Sequence, residues 1–210
     1  MSLITEFQWV PFKADAMSSP AGSELKKLVP EMRARPGLLH TFHGAPIEKP
    51  QSREFVHVWE SESAYRDSKT LPVQAQASQL FRQLIDTSET AFAPFRAAVA
   101  LDRPFAAVAA APVVSLAFMM LGADVDVKAF EAAWTAATAS VAESGSKPAG
   151  FVAGASGWAV EGKVFVVVSG WESVEANEAA HETTKAAFGA IRGFEKTVEV
   201  HHTSFSAPPQ

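Results

Sequence analysis

The chain has no cysteine in 210 residues, which removes disulfides, thiolate nucleophiles and cysteine-ligated zinc or iron–sulfur sites from consideration. Positive charge is also scarce. There are 18 Lys and Arg against 23 Asp and Glu, for a formal net charge of −5. Nucleic-acid binding draws on a clustered cationic surface, and no basic run with interleaved aromatics occurs, so no nucleic-acid partner is expected. A Gly-rich phosphate loop, a nucleophile elbow and a paired-carboxylate motif are all missing. Tyrosine occurs once, as Tyr65.

Long apolar runs are lacking too. The uncharged stretch from Phe105 to Leu121 falls short of the roughly 20 residues that cross a bilayer, contains Pro112 and is rich in alanine. It reads as a linker followed by a buried strand, and no membrane partner is expected. The amino terminus has no basic segment leading into a continuous apolar stretch, which makes a cytoplasmic location the expectation. What the chain does have is 48% hydrophobic residues, enough to build a substantial core.

Self-similarity organises that content. Pro36 through Val56 to Trp59, Glu60 and Ser61 matches Pro148 through Val168 to Trp171, Glu172 and Ser173 without a gap, at a constant offset of 112 (148 − 36, 171 − 59). Phe81 with Phe188 and Thr90 with Thr197 continue the match at 107, the difference falling around Leu71 to Ala75. A match of this length and order predicts a tandem duplication.

Each copy reads as strand, helix, strand, strand, helix, strand. In the first, Ile4 to Phe12 is extended, and Ser19-Pro20 supplies an N-cap and first helical residue for a helix carrying Leu25, Leu28, Val29 and Met32, interrupted at Pro30. Leu38 to His43 and Glu54 to Trp59 are strands, a helical region broken near Pro72 follows Ser61, and Thr90 to Ala97 is the last strand. In the second, Val113 to Leu121 is a strand and Asp126 caps a helix with Val127, Phe130, Trp134, Ala137 and Val141 on one period. Phe151 to Val160 and Lys163 to Trp171 form a hairpin, a helix spans about Val174 to Arg192, and Thr197 to Phe205 closes the unit. The fold class is therefore α+β, two tandem ferredoxin-like βαββαβ units, each needing cover for its bare sheet face. The simplest cover is the sheet of the other copy. The expected boundaries are residues 1–103 and 113–210, joined by a linker at 104–112.

The Thr5-Glu6-Phe7 opening, the segment Pro36 to Gly44 and Val56 to Ser61 with its echo at Gly170 to Ser173 resemble the dimeric α/β-barrel superfamily. This superfamily includes antibiotic-biosynthesis monooxygenases and stress-responsive barrels, and the resemblance is strongest to tandem-fused fungal members. It implies an intramolecular dimeric α/β barrel with a pocket between sheet and helices in each unit. It also implies activities that range over cofactor-free oxygenases of aromatic polyketides, polyketide cyclases, haem-degrading enzymes and non-catalytic barrels. In the quinone-forming branch a Trp at the end of the third strand is followed six residues later by a Tyr near the pocket. Trp59 and Tyr65 reproduce that spacing, whereas Trp171 is followed by Asn177.

Imidazole titrates near neutrality, so a strand histidine facing a pocket can move a proton. His40, His43 and His57 fall on two neighbouring strands, and alternation groups His40 with Leu38 and Phe42, and His43 with Leu39 and Thr41. His57 shares a face with Phe55 and Trp59. The expected catalytic residues are His57 and Tyr65, with Trp59, His40, His43, Phe42 and Phe55 contacting substrate. The second copy has Ser169 in place of His57, which puts any chemistry in the first unit. No metal or organic cofactor is expected, and a small-molecule ligand is the expected partner. Two alternatives stay open: a non-catalytic ligand-binding or stress-related barrel, and a haem-binding barrel using His181, His201 or His202. Association of two chains into a homodimer also stays open.

Overall fold

A computed structural model describes residues 2–87, 95–143 and 147–206. The chain divides into two compact units, Met1–Leu101 with Phe205–Gln210, and Asp102–Ser204. The first unit runs β1 (Ile4–Pro11), α1 (Pro20–Arg33), β2 (Leu38–Gly44), β3 (Ser52–Trp59), α2 (Glu62–Ser68), α3 (Pro72–Leu84) and β4 (Phe95–Leu101). Its strands pair antiparallel in the order β2-β3-β1-β4, the ferredoxin-like order. The second unit runs α4 (Phe105–Ala109), β5 (Val113–Leu121), α5 (Val127–Glu143), β6 (Phe151–Ala159), β7 (Val164–Trp171), α6 (Val174–Thr184) and β8 (Glu195–Thr203). Its order, β6-β7-β5-β8, is the same. The α+β class expected from the sequence is found.

Local chemistry explains where the helices start. The Ser19 hydroxyl accepts from the Gly22 amide at 3.1 Å, with Pro20 first in α1. Asp126 accepts from the Lys128 amide at 2.9 Å ahead of α5. In both Trp-Glu-Ser triplets the Trp ends a strand and the Ser caps the next helix, Ser61 accepting from Ala64 at 3.1 Å and Ser173 from Ala176 at 3.2 Å. The triplet marks a strand-to-helix junction.

Gly37 and Gly150 precede β2 and β6 with φ of +75° and +74°. A Cβ on Gly37 would stand 2.4 Å from the Ala64 Cβ, so left-handed backbone and close helix approach coincide there. Gly37→Ala is expected to cost about 1–2 kcal/mol, read as a lower denaturation midpoint; an unchanged midpoint would show that the junction is slack.

Several expectations shift. Pro30 does not interrupt α1, which runs on to Arg33; proline removes one N–H but leaves later bonds intact, and Ala34 still donates to the Pro30 carbonyl. The ungapped match between the copies fails by one residue on the second strands. Leu38 faces Trp59 and Phe151 faces Trp171, so β2 and β6 correspond at an offset of 113 (151 − 38) while β3 and β7 keep 112 (171 − 59). Gly150 accordingly takes the place of Gly37 rather than that of Leu38. The turn that follows Pro148 is one residue longer than the turn that follows Pro36, and the hairpin connection after it is one residue shorter. Bulges at Leu38/His40 and Phe151/Ala153 interrupt strict alternation, so Leu38 faces Trp59 whereas His40 faces Val58. Thr90 lies outside the described residues.

The stretch 104–112 is not an extended linker. It holds α4, whose Phe105 and Val108 are buried, and a Cβ on Gly170 would meet the Ala111 Cβ at 2.7 Å. Helix α6 ends at Thr184 rather than near Arg192, because Phe188 and Ile191 turn inward. The Phe188 ring lies 5.4 Å from Trp134, and Ile191 is buried. Phe205 and Ser206 group with the first unit. Ser206 exchanges backbone hydrogen bonds of 3.2 and 3.0 Å with His43 and so bridges to β2. No helix among the described residues is long and apolar enough to cross a membrane.

Candidate active site

Register decides which side chains meet. In the first unit Glu6 on β1 stands directly opposite His57 on β3, and Ile4 opposite Trp59. Directly opposed residues of an antiparallel pair project to the same side of the sheet. On this side Val10 and Phe55 pack against Leu25, Leu28, Val73 and Ala77 of α1 and α3, so Glu6, His57 and Trp59 lie between sheet and helices. Tyr65, in α2, meets Trp59 edge-on at 6.4 Å between ring centroids.

The cluster is a buried ionic one. Glu6 Oε1 accepts from Arg96 Nε at 2.7 Å, and Oε2 accepts from the Trp59 indole at 3.2 Å. His57 Nδ1 lies 3.4 Å from the same Oε2, inside ion-pair range but without the alignment of a hydrogen bond. Arg35 lies over the Trp59 ring at 4.8 Å, its Nη1 donating to Gln74 Oε1 at 2.8 Å and its Nε to the Met32 carbonyl at 2.6 Å. Exposure is 1% for Glu6, 6% for His57, 0% for Trp59 and 3% for Tyr65.

Burial pushes the Glu6 carboxyl up, but the His57 contact, the charges of Arg96 and His57 and the Trp59 N–H together outweigh it and hold it at about 2. Burial pushes His57 below its ordinary value, with Glu6 opposing and both arginines reinforcing the shift. His57 acts as a cation beside Glu6 only when it is protonated. An imidazole kept neutral brings no charge at neutral pH, so Arg96 is the decisive charge on Glu6 there. Burial also lowers Arg35, which remains a cation at neutral pH.

His57, Trp59 and Tyr65, all singled out in the sequence, come together. Phe55 and His43 face each other on the same side of the sheet, and Phe55 packs edge-on against Phe81 at 6.2 Å. Phe42 and His40 do not join them: opposite Val56 and Val58, they project to the other side, and His40 is exposed. Glu6, Arg35, Arg96 and Gln74 were not anticipated. A surface depression of about 190 Å³ lined by Pro11, Phe12, Lys49, Gln51, Ser52 and Asp86 sits at the far end of β1 and includes none of the cluster.

The second unit differs in chemistry at the matching register. Ser115 stands opposite Ser169 and His202, and the Trp171 indole donates to the Ser169 hydroxyl at 2.8 Å. His202 Nε2 meets the Asn177 amide oxygen at 2.9 Å. The helix-facing side is more open here: Ala117, Met119, Val167 and Ser169 are half-buried, and Val198 and Val200 exposed. The three histidines considered for haem do not fit it. His202 Nε2 is engaged by Asn177, His201 is buried against Phe118 on the opposite side of the sheet, and His181 is exposed on α6. No cluster of three or more metal-ligating side chains occurs among the described residues.

No family model and no curated protein matches the sequence. Solved structures do match its fold. An anthrone oxidase-like protein aligns at 12% identity with a TM-score of 0.69, covering 100% of this chain and 94% of its own. A proposed chlorite dismutase aligns at 11% and 0.64, covering 98% and 95%. A proposed monooxygenase from Lactobacillus acidophilus aligns at 13% and 0.60, covering 100% and 97%. At these identities the likenesses show the fold alone: an α+β chain whose structural neighbours have the dimeric α/β-barrel fold.

Proposed function

We propose that the chain is an oxygenase-like or cyclase-like enzyme that works without metal or organic cofactor on a small aromatic or polyketide-like molecule in the first unit. His57 is the acid/base, Tyr65 a hydrogen-bond donor and Trp59 a wall. The observation that carries this reading is the buried imidazole of His57 set 3.4 Å from the Glu6 carboxylate, where burial holds it below its ordinary value. A neutral imidazole is the form that accepts a proton from an acidic C–H or phenol. Glu6 stabilises the imidazolium so formed, and Arg35 and Arg96 offset the negative charge that develops on the substrate. Oxygenase and cyclase chemistry share this proton abstraction and diverge afterwards, the electron-rich carbon meeting either dioxygen or a carbonyl of the same molecule. The likeness to an anthrone oxidase-like protein and a proposed monooxygenase supports the oxygenase branch. The shared strand order and the two Trp-Glu-Ser junctions support a tandem duplication of one unit.

Oxygen uptake with a hydroxylated anthrone, measured after chelator treatment, tests the reading. His57→Ala is expected to slow turnover by about 100-fold and Tyr65→Phe by about 10-fold; a His57→Ala enzyme as fast as the parent would sink it. Product formation without oxygen uptake would select the cyclase branch. A second reading, a ligand-binding barrel without catalysis, is favoured by the open apolar side of the second unit, where Val198 and Val200 are exposed.

A further inference from the structure

The charges of the Glu6 cluster do not cancel. Glu6 supplies one negative charge and Arg35 and Arg96 two positive ones, so the cluster retains a cationic excess when His57 is neutral. Arg35 is 4% exposed. Its Nε and Nη1 are committed to Met32 and Gln74, whereas Nη2 is sealed from solvent and donates to no protein acceptor. A buried guanidinium N–H without an acceptor is costly and rare. The same guanidinium lies against the Trp59 ring, which meets Tyr65, so the free donor sits beside an aromatic wall.

We propose that Arg35 Nη2 receives the anionic oxygen of a small aromatic ligand, an aryl carboxylate whose ring lies along Trp59 and Tyr65. This rests on the reading of the cluster as the substrate site and adds the ligand's charge. A carboxylate fits better than a phenol because it is already ionised at neutral pH, and because guanidinium and carboxylate match in planarity and hydrogen-bonding geometry.

Calorimetric titration with 2-naphthoate and 2-naphthamide separates charge from shape. Naphthoate is expected to bind about 10- to 100-fold more tightly than naphthamide, and Arg35→Gln to abolish that preference. Equal affinities for the two probes in the parent protein would overturn the proposal. If Arg35→Gln does not fold, Arg35→Lys replaces it: naphthoate affinity should fall while naphthamide affinity holds, and a parallel fall in both would count against the site. Preferential naphthoate binding without His57-dependent turnover of any anthrone would leave the anion site standing and remove the catalytic reading. Turnover with no preference between the probes would do the reverse.

Discussion

Glu6→Ala is expected to destabilise the first unit by about 3–5 kcal/mol, the range for removing one partner of a buried ionic group. Without the carboxylate, Arg96 loses its 2.7 Å partner, the Trp59 indole loses its acceptor, and Arg35 faces Arg96 with no intervening negative charge. Glu6→Gln keeps an oxygen for the indole but not the charge, so it should recover only part of the loss. Chemical denaturation followed by tryptophan fluorescence measures both. A Glu6→Ala cost below about 1 kcal/mol would show that the cluster is not held together by its charges.

Acid is expected to weaken the same unit, and the sign follows from two groups. The Glu6 carboxyl, held at about 2 against an ordinary 4.5, contributes stability that is present above pH 4.5 and lost as the pH falls through 2. His57 is also depressed from its ordinary 6.5; the unfolded chain takes up that proton first, so its contribution fades as the pH drops below 6.5. Both act in one direction between pH 6.5 and 2, and the Glu6 share is about 2–3 kcal/mol. Glu6→Gln should flatten the lower part of the stability-versus-pH curve. An identical acid limb in the variant would assign the effect to other groups.

The elements were legible because their signals are local. Ser19-Pro20, Asp126 and the two Trp-Glu-Ser triplets announce helix starts through the atoms that cap them. The buried cluster was only half legible. His57, Trp59 and Tyr65 lie close in sequence, whereas Glu6, Arg35 and Arg96 reach them through pairing and packing across the chain. Glu6 did leave a trace: a carboxylate in the middle of a strand buried on both faces demands a partner. The end of α6 was hidden for a different reason. Lys185, Ala186 and Ala187 continue the helix-forming run of α6 past Thr184, but Gly189 weakens it and the docking of Phe188 and Ile191 turns the chain inward.

The bridge between Ser206 and His43 has a consequence for biosynthesis. A ribosome makes the chain from the amino terminus, and the residue that pairs with the β2 edge at His43 emerges only after the whole of the second unit. The first unit therefore cannot finish folding when translation has reached Leu101. Until then His43 lacks its backbone partner on the β2 edge, and an unpaired strand edge is the kind of surface that recruits stray strands. A fragment cut after Leu101 lacks that partner, and a bulky fusion placed just after Ser204 competes with the closing contact.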